Sequence, residues 1–163
     1  MVLKERENLP YRKNTEGYFI DNKGNILSKD SKQSYIIFPG GGINEGETPE
    51  QAVLRETFEE TGAIIENLRL LGKLVLPYSK NWAKTQKQKS RYEKFQGDEM
   101  YFFAGNIKEF RENKKEEDSW HGEKLMPVEK VIKILTLLKK DKYKKAQLKY
   151  LKELFSSCKI FIS

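Results

Sequence analysis

Between Gly40 and Ala63 the chain carries six glutamates (Glu45, Glu47, Glu50, Glu56, Glu59 and Glu60) against one cation, Arg55. Glu56, Glu59 and Glu60 are spaced i, i+3, i+4, which on a helix brings their side chains to one face. Carboxylates that close repel by roughly a few tenths of a kcal/mol per exposed pair, and by more when shielded from water. One arginine cannot neutralise them. Clustered hard oxygen ligands are what Mg²⁺ or Mn²⁺ takes up, commonly with water and substrate phosphate completing the shell. Gly40, Gly41 and Gly42 stand just before the acidic run, and glycine lets backbone approach a ligand closely or take positive φ. The pattern therefore points to a divalent cation beside a phosphate. The competing reading is an acidic helix whose charges face water.

The elements that must position these groups are punctuated locally. Thr48 suits a helix N-cap, Pro49 the first helical position, Gln51 the reciprocal half of a capping box, and Gly62 the position after the helix end. At about 100° per residue, Val53, Leu54, Thr57 and Phe58 share a core-facing arc, while Arg55, Glu56, Glu59 and Glu60 share the other. Upstream, Gly17–Ser28 reads as a hairpin about the turn DNKGN, and Tyr35–Phe38 as a strand stopped by Pro39. Leu68–Leu76 and Met100–Ile107 read as further strands, and the polar, basic segment Ser79–Gly97 as a loop. Helices are expected over about residues 127–156. Val128, Val131, Ile132, Leu135 and Leu138, and then Tyr143, Ala146, Tyr150, Leu151, Leu154 and Phe155, repeat at helical spacing. Strands around one central helix predict a mixed α/β fold.

Composition bounds the rest. A chain of 163 residues, 37% hydrophobic and 34% charged, suits a single domain with a buried core, not a disordered chain. The lack of a long apolar run or an apolar N-terminus excludes a membrane span and predicts a cytoplasmic protein. A lone cysteine, Cys158, rules out an internal disulfide. The net charge of +7 resides in residues 124–163, where eleven lysines face Glu129, Asp141 and Glu153. A surplus confined to lysine-rich amphipathic helices argues for solvated faces more than for nucleic-acid binding.

The acidic segment resembles the signature of the Nudix hydrolases, G-x5-E-x7-R-E-U-x-E-E-x-G-U, with U aliphatic. Gly41, Glu47, Arg55, Glu56, Glu59, Glu60 and Gly62 occupy its fixed positions, and Ala63 closes it. Thr57, at an aliphatic position, is the one departure. The resemblance implies an α/β/α sandwich with a mixed central sheet. It also implies a metal-dependent enzyme that hydrolyses a diphosphate linkage in a nucleoside diphosphate-linked substrate: a nucleotide, nucleotide sugar or dinucleoside polyphosphate. Carried over by position, Glu56, Glu59 and Glu60 would hold Mg²⁺ (or Mn²⁺), the Gly40 carbonyl would contact it, and Arg55 and Glu47 would orient the carboxylates. Gly41 and Gly42 would bring backbone up to substrate. A further glutamate from outside the signature is expected as ligand or base. Glu123 is the candidate, with Asp98, Glu99 and Glu117 as rivals. His121 and Trp120 read as loop residues, Trp120 either stacking on a base or packing at the domain edge.

Substrate choice stays open at this level. Pro77 and Tyr78 each resemble residues that sort substrates within the family, and they point to different ones. Between Ser79 and Gly97, Lys80, Lys84, Lys87, Lys89, Arg91 and Lys94 interleave with Trp82, Tyr92 and Phe95. This suits a polyphosphate with a stackable base, or a triphosphorylated RNA 5′ end. Tyr78, Lys84, Lys87 and Arg91 are the expected substrate contacts. The chain is expected to act as a monomer or homodimer. A nucleotide-binding Nudix module without catalysis is the alternative, and retention of every metal carboxylate argues against it.

Overall fold

The computed structural model describes residues 2–33, 35–112 and 120–162, the side chains of 2–4 and 157–162 excepted. Glu117 and the side chain of Cys158 lie outside the described residues. The frame is a five-stranded sheet in the order β5-β6-β1-β2-β7. Its strands are β1 (Tyr11–Ile20), β2 (Asn25–Leu27), β5 (Ala63–Pro77), β6 (Gly97–Phe110) and β7 (Leu125–Pro127). β1 and β6 pair in parallel from Tyr11↔Gly97 to Ile20↔Asn106, and the other neighbours are antiparallel. The sheet is therefore mixed. A separate pair, β3 (Lys29–Asp30) and β4 (Ile36–Ile37), closes the chain's return from the hairpin.

Side-chain alternation along β1 and β6 builds two cores. Tyr18 and Phe102 face one side, where they pack with Ile26, Met100, Val131, Leu135, Leu151 and Leu154. Phe19 and Phe103 face the other, against Val53, Leu27 and Ala63. The first side is covered by α4 (Val128–Leu137) and α5 (Lys142–Ile162), the second by α2 (Pro49–Thr61). This is the expected α/β/α sandwich. The C-terminal stripes are core: Val128, Val131, Leu135, Leu151 and Leu154 are buried, with Ile132, Leu138, Tyr143 and Tyr150 packed around them.

Helix α2 obeys its local signals. Thr48 accepts from the Gln51 N–H, Gln51 answers the Thr48 N–H, and Gly62 ends the helix in the left-handed region at φ 77°. Val53 and Thr57 are buried, but Leu54 is 38% exposed. The helix rests on the sheet along the narrower stripe Val53, Thr57, Thr61, which leaves Leu54 at its margin.

The segment expected as a loop, Ser79–Gly97, contains a nine-residue helix, α3 (Gln86–Lys94). Nothing on α3 is buried, so no apolar periodicity marked it. Thr85 and Gln88 form a second capping box. Arg6, in the short N-terminal helix α1 (Val2–Glu7), donates to the carbonyls of Tyr92 and Phe95 at 2.6 and 3.0 Å, its guanidinium 3.3 Å from the Tyr92 ring centroid. End caps and a cation–π anchor hold it where a core cannot.

Candidate metal and phosphate site

Arg55 is the hub of the acidic helix. A guanidinium has five N–H donors, and here Nε donates to Glu47 Oε2 at 2.7 Å and Nη2 to Glu47 Oε1 at 3.0 Å. Nη2 also reaches the Gly42 carbonyl at 3.1 Å, while Nη1 reaches Glu56 Oε1 at 3.0 Å and Glu59 Oε2 at 3.3 Å. One planar group thus sets the positions of three carboxylates and a loop carbonyl. The hydrogen bonds to Glu47, then to Glu56, hold the arginine pKa above its ordinary value despite partial burial. The same Arg55 bond, helped by the Asn44 N–H, holds Glu47 below the usual carboxylate range.

The glycine loop is seated on β1. Thr15 N–H and Oγ1 both donate to the Gly41 carbonyl, at 2.8 and 3.0 Å, and the Gly41 N–H returns to Thr15 Oγ1 at 3.2 Å. Gly40 has φ 152°, and a Cβ there would stand 2.1 Å from the Thr15 carbonyl oxygen. A Cβ on Gly41 would stand 2.5 Å from the Glu56 carboxyl carbon. The glycines are thus required twice: against β1, and to let Glu56 lie on the loop backbone. No local signal in the sequence singled out Thr15, because its role depends on where β1 runs in the sheet.

Glu60 is held from two sides. Its Oε1 accepts the Gly40 N–H at 2.9 Å and its Oε2 accepts the Trp120 indole N–H at 3.1 Å. Trp120 also gives its backbone N–H to the Glu60 carbonyl at 2.8 Å, and Lys124 Nζ reaches the Thr61 carbonyl at 3.1 Å. The loop 120–124 therefore crosses the C-terminal end of α2. Trp120 itself is half-buried on this loop, its indole N–H turned to Glu60. Glu123 and His121 are exposed on this loop. Of the rivals, Glu99 is paired with Lys73 at 2.7 Å, which lowers its pKa, and Asp98 lies in a neighbouring cleft.

That cleft, of about 400 Å³, lies on the α5 side of β1 and β6. Tyr78 and Trp82 stack in one wall with ring centroids 3.9 Å apart and planes 3° apart. Tyr78 donates to Asp98 Oδ1 at 2.6 Å, and burial, then this bond, raises the phenol's pKa. Arg12 stands 3.8 Å from the same oxygen, and Asn14 joins the cleft to the glycine loop through a β-bridge to Gly42. Arg91 is half-buried and close enough to Arg12 to depress its pKa, after burial itself. Lys84 and Lys87 are exposed at the start of α3. The expected site residues thus fall into an inner group around Arg55 and an outer group around Tyr78 and α3.

Residues 11–152 match the family profile described as NUDIX domain. The chain belongs to the Nudix family. It is similar to an RNA pyrophosphohydrolase of Actinobacillus succinogenes, with 48% identity over 71 residues. That match takes in 42% of this chain and spans 36% of the relative's length. In structure it is similar to a NUDIX hydrolase from Nitrosomonas europaea, at TM-score 0.58 and 14% identity, over 90% of this chain and 89% of that one. It is also similar to the C. elegans Ap4A hydrolase, at TM-score 0.54 and 17% identity, over 94% and 99% of the two chains. At these identities the two structures establish the shared fold.

Nudix hydrolases generally use a divalent metal. In this Nudix chain the chemistry of the donors fits one. Glu47, Glu56 and Glu59 share a single guanidinium, and with Glu60 they form a surplus of hard oxygen at 15–22% side-chain exposure for the first three. Among the described residues no three acidic, His or Cys side chains already form a cage. The fit therefore lies in donor type and charge, with Arg55 holding the carboxylates in reserve. Among the described residues no helix is long and apolar enough to cross a membrane.

Proposed function

We propose that this chain is a Mg²⁺-dependent pyrophosphohydrolase (Mn²⁺ substituting) that cleaves a diphosphate linkage in a nucleoside diphosphate-linked substrate. The observation that carries this reading is the Arg55 hub, which gathers more carboxylates than one cation neutralises beside a glycine loop. Glu56, Glu59 and Glu60 would hold the ion, with the Gly40 carbonyl as a further contact. When bound, the ion neutralises diphosphate charge and lowers the pKa of water. Arg55 and Glu47 keep the carboxylates oriented, and Thr15 keeps the loop in place. Glu123 is the candidate base, on the loop that crosses the end of α2. The Tyr78–Trp82 cleft would take the nucleoside end, and Lys84, Lys87 and Arg91 the outer phosphates. We read the chain as one cytoplasmic domain, acting as monomer or homodimer.

A second reading, removal of pyrophosphate from an RNA 5′ end, is favoured by the basic surface of α3 and by the RNA pyrophosphohydrolase likeness.

The test is phosphate release with Mg²⁺ or Mn²⁺ from nucleotide sugars, dinucleoside polyphosphates, oxidised nucleotides, and capped or triphosphorylated RNA. Glu59→Gln and Glu60→Gln are expected to lower kcat by on the order of 100-fold or more, with the fold intact by circular dichroism. Wild-type kcat in both variants removes the proposal.

A further inference from the structure

Trp120 touches Glu60 twice, and only one of the contacts belongs to helix termination. The last carbonyls of a helix lack intrahelical partners, and the Trp120 backbone N–H supplies one to the Glu60 carbonyl at 2.8 Å. The indole N–H is not needed for that purpose. It is aimed instead at Glu60 Oε2, at 3.1 Å, while the Gly40 N–H takes Oε1 at 2.9 Å. The two donors come from opposite directions in the chain, twenty residues before Glu60 and sixty after it. Together they fix the plane of the carboxylate. An indole N–H can only donate, and two such bonds do not by themselves exhaust a carboxylate's acceptor positions.

We propose that Trp120 is a positioning residue for divalent-cation binding, orienting Glu60 toward the ion through its indole N–H. The inference rests on the reading of Glu60 as a metal ligand. Arg55 reaches Glu56 and Glu59 from within α2, while the loop 120–124 brings Glu60 an indole donor from far along the chain. Losing such an outer partner typically weakens metal affinity about 10- to 100-fold.

The experiment is calorimetric titration of Mn²⁺ into the wild type and Trp120→Phe, which keeps a ring and the backbone cap but removes the ring N–H. The expected result is a Kd at least about tenfold higher in the variant, with the metal-free melting temperature within about 2 °C of wild type. A Kd within twofold of wild type overturns the inference while leaving the metal reading intact. A wild type that takes up no Mn²⁺ overturns the metal reading itself. A Trp120→Phe protein whose affinity falls only together with its melting temperature marks a purely structural tryptophan, and that also overturns it. Should Trp120→Phe fail to fold, Trp82→Phe decides, because Trp120 is then the sole tryptophan. Its fluorescence should change saturably with Mn²⁺ at the calorimetric Kd. Unchanged emission at saturation rejects the proposal.

Discussion

Arg55 and Glu47 meet as a two-bond fork, Nε to Oε2 at 2.7 Å and Nη2 to Oε1 at 3.0 Å. The fork fixes the guanidinium plane, and that plane is what allows Nη1 to reach Glu56 and Glu59 together. Lysine keeps the charge but cannot reproduce the fork. Arg55→Lys is therefore expected to weaken Mn²⁺ binding by about tenfold or more and to lower kcat. Titration calorimetry and steady-state kinetics measure both. A lysine variant with wild-type values would show that charge alone suffices.

Thr57 is fully buried, and its hydroxyl has no hydrogen-bond partner among the described residues. A buried, unsatisfied hydroxyl costs about 1–3 kcal/mol. Thr57→Val replaces it by a methyl of similar shape and should stabilise the protein by about 1 kcal/mol, near 2–4 °C in melting temperature. Calorimetric unfolding of the pair checks this, and a lower melting temperature for valine would mean that the hydroxyl does find a partner.

Glu16 is buried among Tyr18, Tyr143 and Gln147, all donating to its carboxylate, with Tyr18 at 2.6 Å and Gln147 at 2.9 Å. Burial raises its pKa, and the three hydrogen bonds offset this only in part. A raised native pKa contributes stability that is fully present below the unfolded value and is lost as pH rises through the native one. Glu16→Gln is permanently neutral. Its melting temperature relative to wild type should therefore climb as the pH rises above the ordinary glutamate range. A pH-independent difference would count against a titrating Glu16.

Lys84, Lys87 and Lys89 are exposed on and before α3. If they meet outer phosphates, changing all three to Gln should raise KM roughly fivefold or more for the preferred nucleotide, with kcat retained and the effect shrinking in high salt. An unchanged KM at low salt separates α3 from substrate binding.

What could be read from the chain alone follows the range of the forces involved. The Thr48–Gln51 box and the Gly62 stop act within one helical turn, so α2 was legible almost to the residue. The stripes of α4 and α5 were legible because burial imposes a period. Helix α3 has a similar box at Thr85–Gln88, but nothing on it is buried, so no apolar period backed the cap, and its anchor Arg6 lies some 86 residues away. The seat of Gly41 on Thr15 and the grip of Trp120 on Glu60 were hidden for the same reason. Residue types named the chemistry of the acidic helix, but its supporting partners are set by tertiary approach.

The parallel pairing of β1 with β6 governs the order in which the protein can come into being. Tyr11 must wait for Gly97, and Ile20 for Asn106, before the strand beneath the glycine loop has its second neighbour. Helix α2 carries its own caps and its own Arg55, yet the strand that seats the glycine loop gains this neighbour only after Gly97–Asn106 has been made. Nascent chains halted before Gly97 should expose Phe19 and Val53 to chaperones.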